Sequence, residues 1–396
     1  MKKRVVQALG CLLAMTMVAG SLTACGGKSE KKAEKKEGSD VKVAIICSAA
    51  GQNDNGYNQS AVEGAKKAAD EFGIEYKVVE PTTGVPQALE SLADDGYNVI
   101  FNLEYDFEAL IQGTGGAQPI AEMYPDTTFV CVNDNPNQDK DGKTIHDNVI
   151  SVLFDVHQAS FVAGALTTLV NENAETLFGT DDYNFTPADD GGRSVGFIGG
   201  TNSNGITVFS YGYIEGINYE AEKLGVNYDY YAKYDAGFAD STTGSTVAGT
   251  YYNQGANIVF SVAGSVGDGV ASKAKEEGKL AIQDANKDDQ QPGYVLTSVI
   301  KNTEVPVYDI VKEAVNGKID KMDRAQTYSL ASGAASITDL SEISKHIQDS
   351  GKDKWEEIKA EIKDVEDKIS DGTIVVTDAQ SGEEFDASKC PNVTVK

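Results

Sequence analysis

The stretch VKVAIICSAAGQNDNGYNQSAVEGAKKAADEF, residues 41–72, decides the fold. Its first seven residues form a short apolar run, the pattern of a strand covered on both faces. Further along, Ala61, Ala65, Ala68, Ala69 and Phe72 recur at three- and four-residue steps, which predicts a helix over 58–72. A polar loop, SAAGQNDNGYN, joins the two. Buried strand, polar loop and helix make the repeating unit of a parallel α/β sheet.

The unit recurs. Strand-like runs IEYKVVE, NVIFNL, TTFVCVN and NVISVLFD alternate with helix patterns over 85–94 and 115–123. A second block brings a helix over 157–170, a polar insertion over 171–192, the strand SVGFIGG, a helix over 206–224, the strand NYDYYAKY and a helix over 240–253. The strands NIVFSVAG, KLAIQD and YVLTSVI and a helix over 305–315 follow. Near the end, Trp355, Ile358, Ile362, Val365 and Ile369 form one face of an amphipathic helix over 354–369, and SDGTIVVTD reads as a turn and a last strand. Two α/β lobes are expected, with ligand chemistry at the carboxyl ends of the strands.

A chain of 396 residues suits two such lobes. Asp+Glu number 61 against 34 Lys+Arg, a net charge of −27, so the chain repels phosphate backbones and a nucleic-acid partner is excluded. Three His and five scattered Cys, with no CxxC and no HExxH, predict neither a metal nor a cofactor. No GxSxG elbow or His-centred triad occurs, so no catalytic residue is assigned.

Residues 1–24 read as a secretory signal: Lys2, Lys3 and Arg4, an apolar stretch, then small residues. The signal ends Leu22-Thr23-Ala24-Cys25-Gly26, which looks like a bacterial lipobox with Cys25 as the lipidated residue; ordinary cleavage after Ala24 is the alternative. Residues 26–40 hold no large apolar side chain and are expected to be a solvated tether. Localisation is therefore expected at the outer face of a cell membrane. Cys47 and Cys131 fall in buried strands, where Cys serves as a small hydrophobe, and no disulfide framework is implied.

Four polar loops at strand ends carry the functional signal. The first contains Asp54 and Asn58 beside a helix start, as ligand groups or as helix caps. The second is AGSVGDGV, whose Gly264 permits close backbone approach to a ligand. Asp284 and Lys301 end the third and fourth strands, a carboxylate suited to clasping neighbouring hydroxyls and a cation.

At these loops the chain resembles the BMP (basic membrane protein) family, purine-nucleoside receptors of ABC transporters. NDNGYNQSAVEG (53–64) is similar to the family's D-x-S-F-N-Q-S-A-x-E-G, with Tyr57, Asn58 and Gln59 in the motif. PDTTFVCVND (125–134), VLFDVHQASFVAG (152–164), VGFIGGTNSNGITVFSYGYIEG (195–216), VFSVAGSVGDGV (259–270) and LTSVIK (296–301) follow in the family's order. The resemblance implies a type I periplasmic-binding-protein fold of two Rossmann-like lobes with a hinge and an interlobe cleft. It implies lobes of 41–156 with 294–326 and of 157–293 with 327–396. It further implies that Asn58 and Asp54 reach the base, Phe209 stacks on it, and Asp284 and Lys301 hold ribose hydroxyls. Two positions depart from the pattern. Val156 stands where the family has a base-recognising Asp, with Asp155 one residue earlier. No aromatic lies between Cys47 and Asp54, so Tyr105 or Phe107 is the candidate for the second stacking face.

The reading that follows is a membrane-tethered, monomeric solute-binding protein that passes a purine nucleoside (guanosine, inosine or adenosine) to an ABC permease. The alternatives are another solute such as a flavin or a sugar, or a sensing or surface-interaction lipoprotein without transport. An enzyme of nucleosides stands third, lacking a metal-binding Asp cluster or dinucleotide fingerprint.

Overall fold

The computed structural model describes residues 40–396 apart from Asn55. The signal-like segment 1–24, Cys25 and all of the 25–40 tether but Asp40 lie outside the described residues.

The chain runs β1 (Lys42–Ile46), α1 (Tyr57–Phe72), β2 (Glu75–Val79), α2 (Val85–Asp94) and β3 (Val99–Asn102). Two single-turn helices, α3 (Glu108–Ile111) and α4 (Ile120–Met123), precede β4 (Thr128–Val132) and β5 (Val149–Phe154). Next come α5 (Val156–Glu172), α6 (Ala174–Leu177), β6 (Ser194–Gly199), α7 (Asn204–Leu224), β7 (Tyr228–Lys233) and α8 (Ser241–Asn253). Then follow β8 (Ile258–Val262), α9 (Ser265–Glu277), β9 (Leu280–Gln283), β10 (Val295–Lys301) and α10 (Glu304–Val315). The last are β11 (Ala325–Tyr328), β12 (Ala335–Ile337), α11 (Ser341–Ser344), α12 (Lys352–Ser370) and β13 (Val393–Val395).

The strands form two sheets, ordered β11-β5-β4-β3-β1-β2 and β12-β10-β9-β8-β6-β7-β13. Every pairing is parallel except that of β10 with β12. Helices cover both faces of each sheet, which is why the strands read as continuous apolar runs. In β1, Val43 and Ile45 pack into one core while Ala44 and Ile46 face another. In β8, Phe260 and Val259 divide the same way. Residues one apart on a strand point to opposite faces, so both must be apolar.

The chain passes between the lobes three times: after β5, between β10 and α10, and between β11 and β12. Residues 294–301 therefore belong with the second lobe, and the returning piece of the first lobe is 302–328 instead of 294–326. The reason is pairing: β10 is hydrogen-bonded to β9 and β12. The return is fixed immediately afterwards, where Thr303 Oγ1 donates to the Tyr57 carbonyl (2.5 Å) and the Glu304 amide donates to Ser60 Oγ (2.9 Å).

The helix expected over 115–123 is reduced to α4. Gly115 and Gly116 have φ of +62° and +84°, left-handed values that a right-handed helix cannot run through. SDGTIVVTD forms no strand; its Val375 is 84% exposed, and the last strand is β13, paired with β7. The α12 expectation holds, with Trp355, Ile358, Ile362, Val365 and Ile369 buried and Trp355 Nε1 donating to Ser344 Oγ (2.7 Å). Each such aliphatic side chain contributes about 1.5–3 kcal/mol by leaving water. Cys47, Cys131 and Cys390 are free and buried.

The second lobe's main helix pair, α5 and α7, packs backbone to backbone. A Cβ on Gly216 would lie 1.9 Å from the Phe161 carbonyl oxygen, and one on Gly164 would lie 2.2 Å from that of Tyr213. Only glycine permits that approach. It brings α7, and with it Phe209, to a fixed position behind the cleft.

Candidate ligand-binding cleft

Between the carboxyl ends of the two sheets lies a cleft of about 1510 Å³, lined by both lobes. That exceeds the roughly 300–1,000 Å³ of a pocket fitted around a small ligand. Nine carboxylate side chains but only Lys287 and Lys301 among the basic ones line it.

The first lobe contributes the loop between β1 and α1. Asp54 organises it: Oδ1 accepts the amides of Gly56 and Gln59 (both 3.0 Å), and Oδ2 accepts the amide (3.0 Å) and Nδ2 (2.9 Å) of Asn58. These four bonds fill a carboxylate's acceptor capacity and satisfy the orphan donors of the α1 start. Asn58 is fully buried, with Oδ1 accepting the Ser48 amide and Nδ2 donating to Ser48 Oγ, both at 2.8 Å. Asp54, Tyr57 and Gln59 line the cleft; Asn58 stands behind the wall as its brace. Tyr57 donates to the Val132 carbonyl (3.1 Å), which pins the start of α1 to β4, and its phenol is pushed well up by burial.

Tyr105 reaches into the cleft from the loop after β3, is 60% exposed, and has Asn133 Nδ2 donating to its hydroxyl. Phe107 does not reach the cleft. It is buried in the first lobe's core, edge-on to Tyr105 with ring centroids 6.4 Å apart, and so supports that ring from behind.

The second lobe contributes three strand ends and the start of α7. Phe209, Gly264, Asp284 and Lys301 all line the cleft. Lys301 Nζ lies 5.3 Å from the centroid of the Phe209 ring, within cation–π range. Burial pushes the Lys301 ammonium down to about 8, against the pull of Asp284. Burial pushes the Asp284 carboxyl up, opposed by Lys287, Lys301 and the Gly264 amide. Gly264 has φ +55°, and a Cβ there would come within 3.0 Å of the Phe238 carbonyl oxygen. Both groups are partly desolvated without a direct ion pair, so a solute with hydroxyls could supply the missing hydrogen bonds.

Asp155 is not at the cleft wall. It immediately precedes α5, accepts from Gln158 Nε2 (3.3 Å), and is pushed up to about 6 by burial and then by Asp378. Sequence reasoning missed Phe238, which lines the cleft from the loop after β7 and is 48% exposed. Among the described residues, Phe238 and Tyr105 are the two aromatic side chains left strongly exposed, one on each lobe. The signal available was a lone aromatic in the Gly- and Asp-rich stretch DAGFADS. Gly200 makes room for it, since a Cβ there would strike the Phe238 ring at 2.3 Å.

The model of the Bmp family, described as ABC transporter substrate-binding protein PnrA-like, matches residues 41–369. The "ABC transporter nucleoside-binding protein BmpA" of Lactococcus lactis subsp. cremoris is 28% identical over 361 residues, covering 85% of this chain and 92% of that protein. An uncharacterized lipoprotein of Pyrococcus abyssi is 28% identical over 317 residues, covering 77% of this chain and 70% of that one. The crystal structure of an ABC transporter solute-binding protein from Aeropyrum pernix K1 superposes with a TM-score of 0.63 at 20% identity, covering 85% and 92%. The fold is that of the type I periplasmic binding proteins. Relatives carry the name lipoprotein, and among the described residues no helix is long and apolar enough to cross a membrane.

Proposed function

The chain belongs to the PnrA-like family of ABC transporter substrate-binding proteins, and from that premise we propose that its solute is a purine nucleoside held between the lobes. One observation carries the reading: the Asp284 carboxylate and the Lys301 ammonium stand at the ends of the neighbouring strands β9 and β10, with the Phe209 ring of α7 5.3 Å from the ammonium, all on one wall of the cleft. A nucleoside needs that combination. Its base is a flat π surface, and an aromatic stacking partner contributes about 1–3 kcal/mol per base. Its ribose presents two adjacent hydroxyls, and a hydrogen bond to a charged group contributes about 1.5–3 kcal/mol each.

Asp284 accepts from the ribose diol and Lys301 donates to it. Phe209 backs the sugar-proximal part of the ring system. Tyr105 and Phe238 close on the base from opposite lobes as the cleft narrows. Asp54 and Asn58 hold the shape of the first-lobe loop. The excess of carboxylates favours an uncharged solute and opposes a nucleotide, whose phosphate would enter among them. Closure excludes water, and the closed form is what the permease engages. Lipidation at Cys25 holds the receptor at the membrane surface, where an acidic body would otherwise be repelled by anionic lipid.

Isothermal titration with guanosine, inosine, adenosine, the matching monophosphates, riboflavin and arabinose tests this. The expected result is saturable binding of at least one purine nucleoside at micromolar or tighter affinity, with its monophosphate at least tenfold weaker. Absence of heat with every nucleoside, or tighter binding of riboflavin or arabinose, rejects the ligand class.

A further inference from the structure

The first lobe crossover and the segment after α12 meet at a cluster of donors that the cleft does not use. Asp155 immediately precedes α5, His157 is the second residue of that helix, and Asp378 lies on the returning C-terminal segment. One donor atom from each lies within 4.8 Å of the other two. His157 Nδ1 stands 3.7 Å from Asp378 Oδ1, beyond hydrogen-bond reach. The imidazole is 7% exposed, and its Nδ1 has no partner. A buried ring nitrogen left unpaired is unfavourable, and a fold that retains one has a lone pair to offer.

The charges around it point the same way. Asp378 Oδ1 accepts the Gln380 amide (2.9 Å) and Asp155 Oδ2 accepts Gln158 Nε2 (3.3 Å), which leaves further oxygen lone pairs on both. Glu383 Oε2 accepts the Asp378 amide (2.9 Å) and so fixes the backbone that carries Asp378. Among the described residues no lysine or arginine pairs with Asp155 or Asp378.

We propose that Asp155, His157 and Asp378 bind a divalent transition-metal ion, with Zn²⁺ as the best fit and water in the fourth position. A nitrogen donor with two carboxylates suits zinc, whereas calcium takes six to eight oxygens. Zinc bonds of about 2.0–2.2 Å place tetrahedral donors roughly 3.4 Å apart, so the 3.7 Å pair needs little movement. The Asp155 oxygen, within 4.8 Å of both other donors, has the longer way to move. No local spacing motif announces the site, because the fold assembles it from distant segments. The bound ion ties the lobe crossover to the C-terminal segment, whose Gln380 lines the cleft.

The test is calorimetric titration of chelator-treated full-length protein with ZnCl₂, repeated with CoCl₂ while recording visible absorption. The expected result is one saturating equivalent and a four-coordinate Co²⁺ band, with affinity at least tenfold weaker and the band lost in His157→Gln and Asp378→Asn. Asp378 is 28% exposed, against 7% for His157, so Asp378→Asn decides the matter if His157→Gln does not fold. Absence of saturable binding, or binding and a Co²⁺ spectrum unchanged in Asp378→Asn, overturns the site.

Discussion

Lys301 Nζ lies 5.3 Å from the centroid of the Phe209 ring, a cation held against an aromatic face at the edge of the interlobe cleft. Lys301 ends β10 and Asp284 follows β9, and these strands are neighbours. A cation and an anion are thereby offered from neighbouring strands, with the Phe209 ring, 3% exposed, backing the cation from the core.

Lys301 makes affinity and stability respond to pH in opposite directions. Its folded pKa, about 8, lies below the ordinary 10.5. The buried charge is therefore a cost fully present below pH 8. That cost is relieved as pH rises from about 8 towards 10.5, because the folded state sheds its proton before the unfolded state does. Ligand affinity should fall over the same rise, as the ammonium becomes a weaker donor. Lys279, also pushed down to about 8, adds to the stability trend. Comparing wild type with Lys301→Met between pH 7 and 9.5 isolates the Lys301 part: the variant loses both its share of the stability rise and the affinity drop.

Asp284→Ala separates sugar from base. Removing the carboxylate should weaken nucleoside binding by about 10- to 100-fold, the equivalent of one or two charge-assisted hydrogen bonds. The free base should be affected less than threefold. Titrating both ligands against the variant measures it; equal losses would contradict the assignment to the ribose.

Asp54→Ala should act on every ligand alike. The carboxylate holds three amides and one side-chain amide at the start of α1. Losing that cap should cost about 1–2 kcal/mol of stability. Affinity for nucleoside and for free base should fall by the same factor, because the wall shifts and no ligand contact is removed. Urea melts and paired titrations test both parts.

Gly216→Ala reverses the usual helix rule. In an exposed helix the change gains about 1 kcal/mol. At the α5–α7 contact the new methyl would sit 1.9 Å from the Phe161 carbonyl oxygen, so the helices must separate. Overpacking of this kind costs about 1–3 kcal/mol. A lowered melting temperature by circular dichroism is expected, whereas an unchanged or raised one would refute the close packing.

The strands and long helices were legible because each writes its own pattern: apolar runs for strands covered twice, and three- and four-residue steps for α1 and α12. The misread pieces were those where backbone or pairing decides. Gly115 and Gly116 stop a helix by their left-handed conformation, and SDGTIVVTD has strand-like residues but no neighbour with which to pair. Of the cleft, Asp284, Lys301 and Gly264 were readable as polar or glycine residues directly after apolar strands. Phe238 was not, since one exposed aromatic in a loop looks like any other until a lobe is placed opposite it.

The sequence by itself determined that this chain is an acidic, twofold α/β protein whose polar chemistry gathers at strand ends, because periodicity and local composition need no partner to be read. Only the tertiary structure decided that β10 belongs to the second sheet, that Asn58 turns inward as a brace, and that Asp155, His157 and Asp378 converge. Those outcomes depend on strand order and on helices meeting through glycine, which are contacts between segments far apart in the chain.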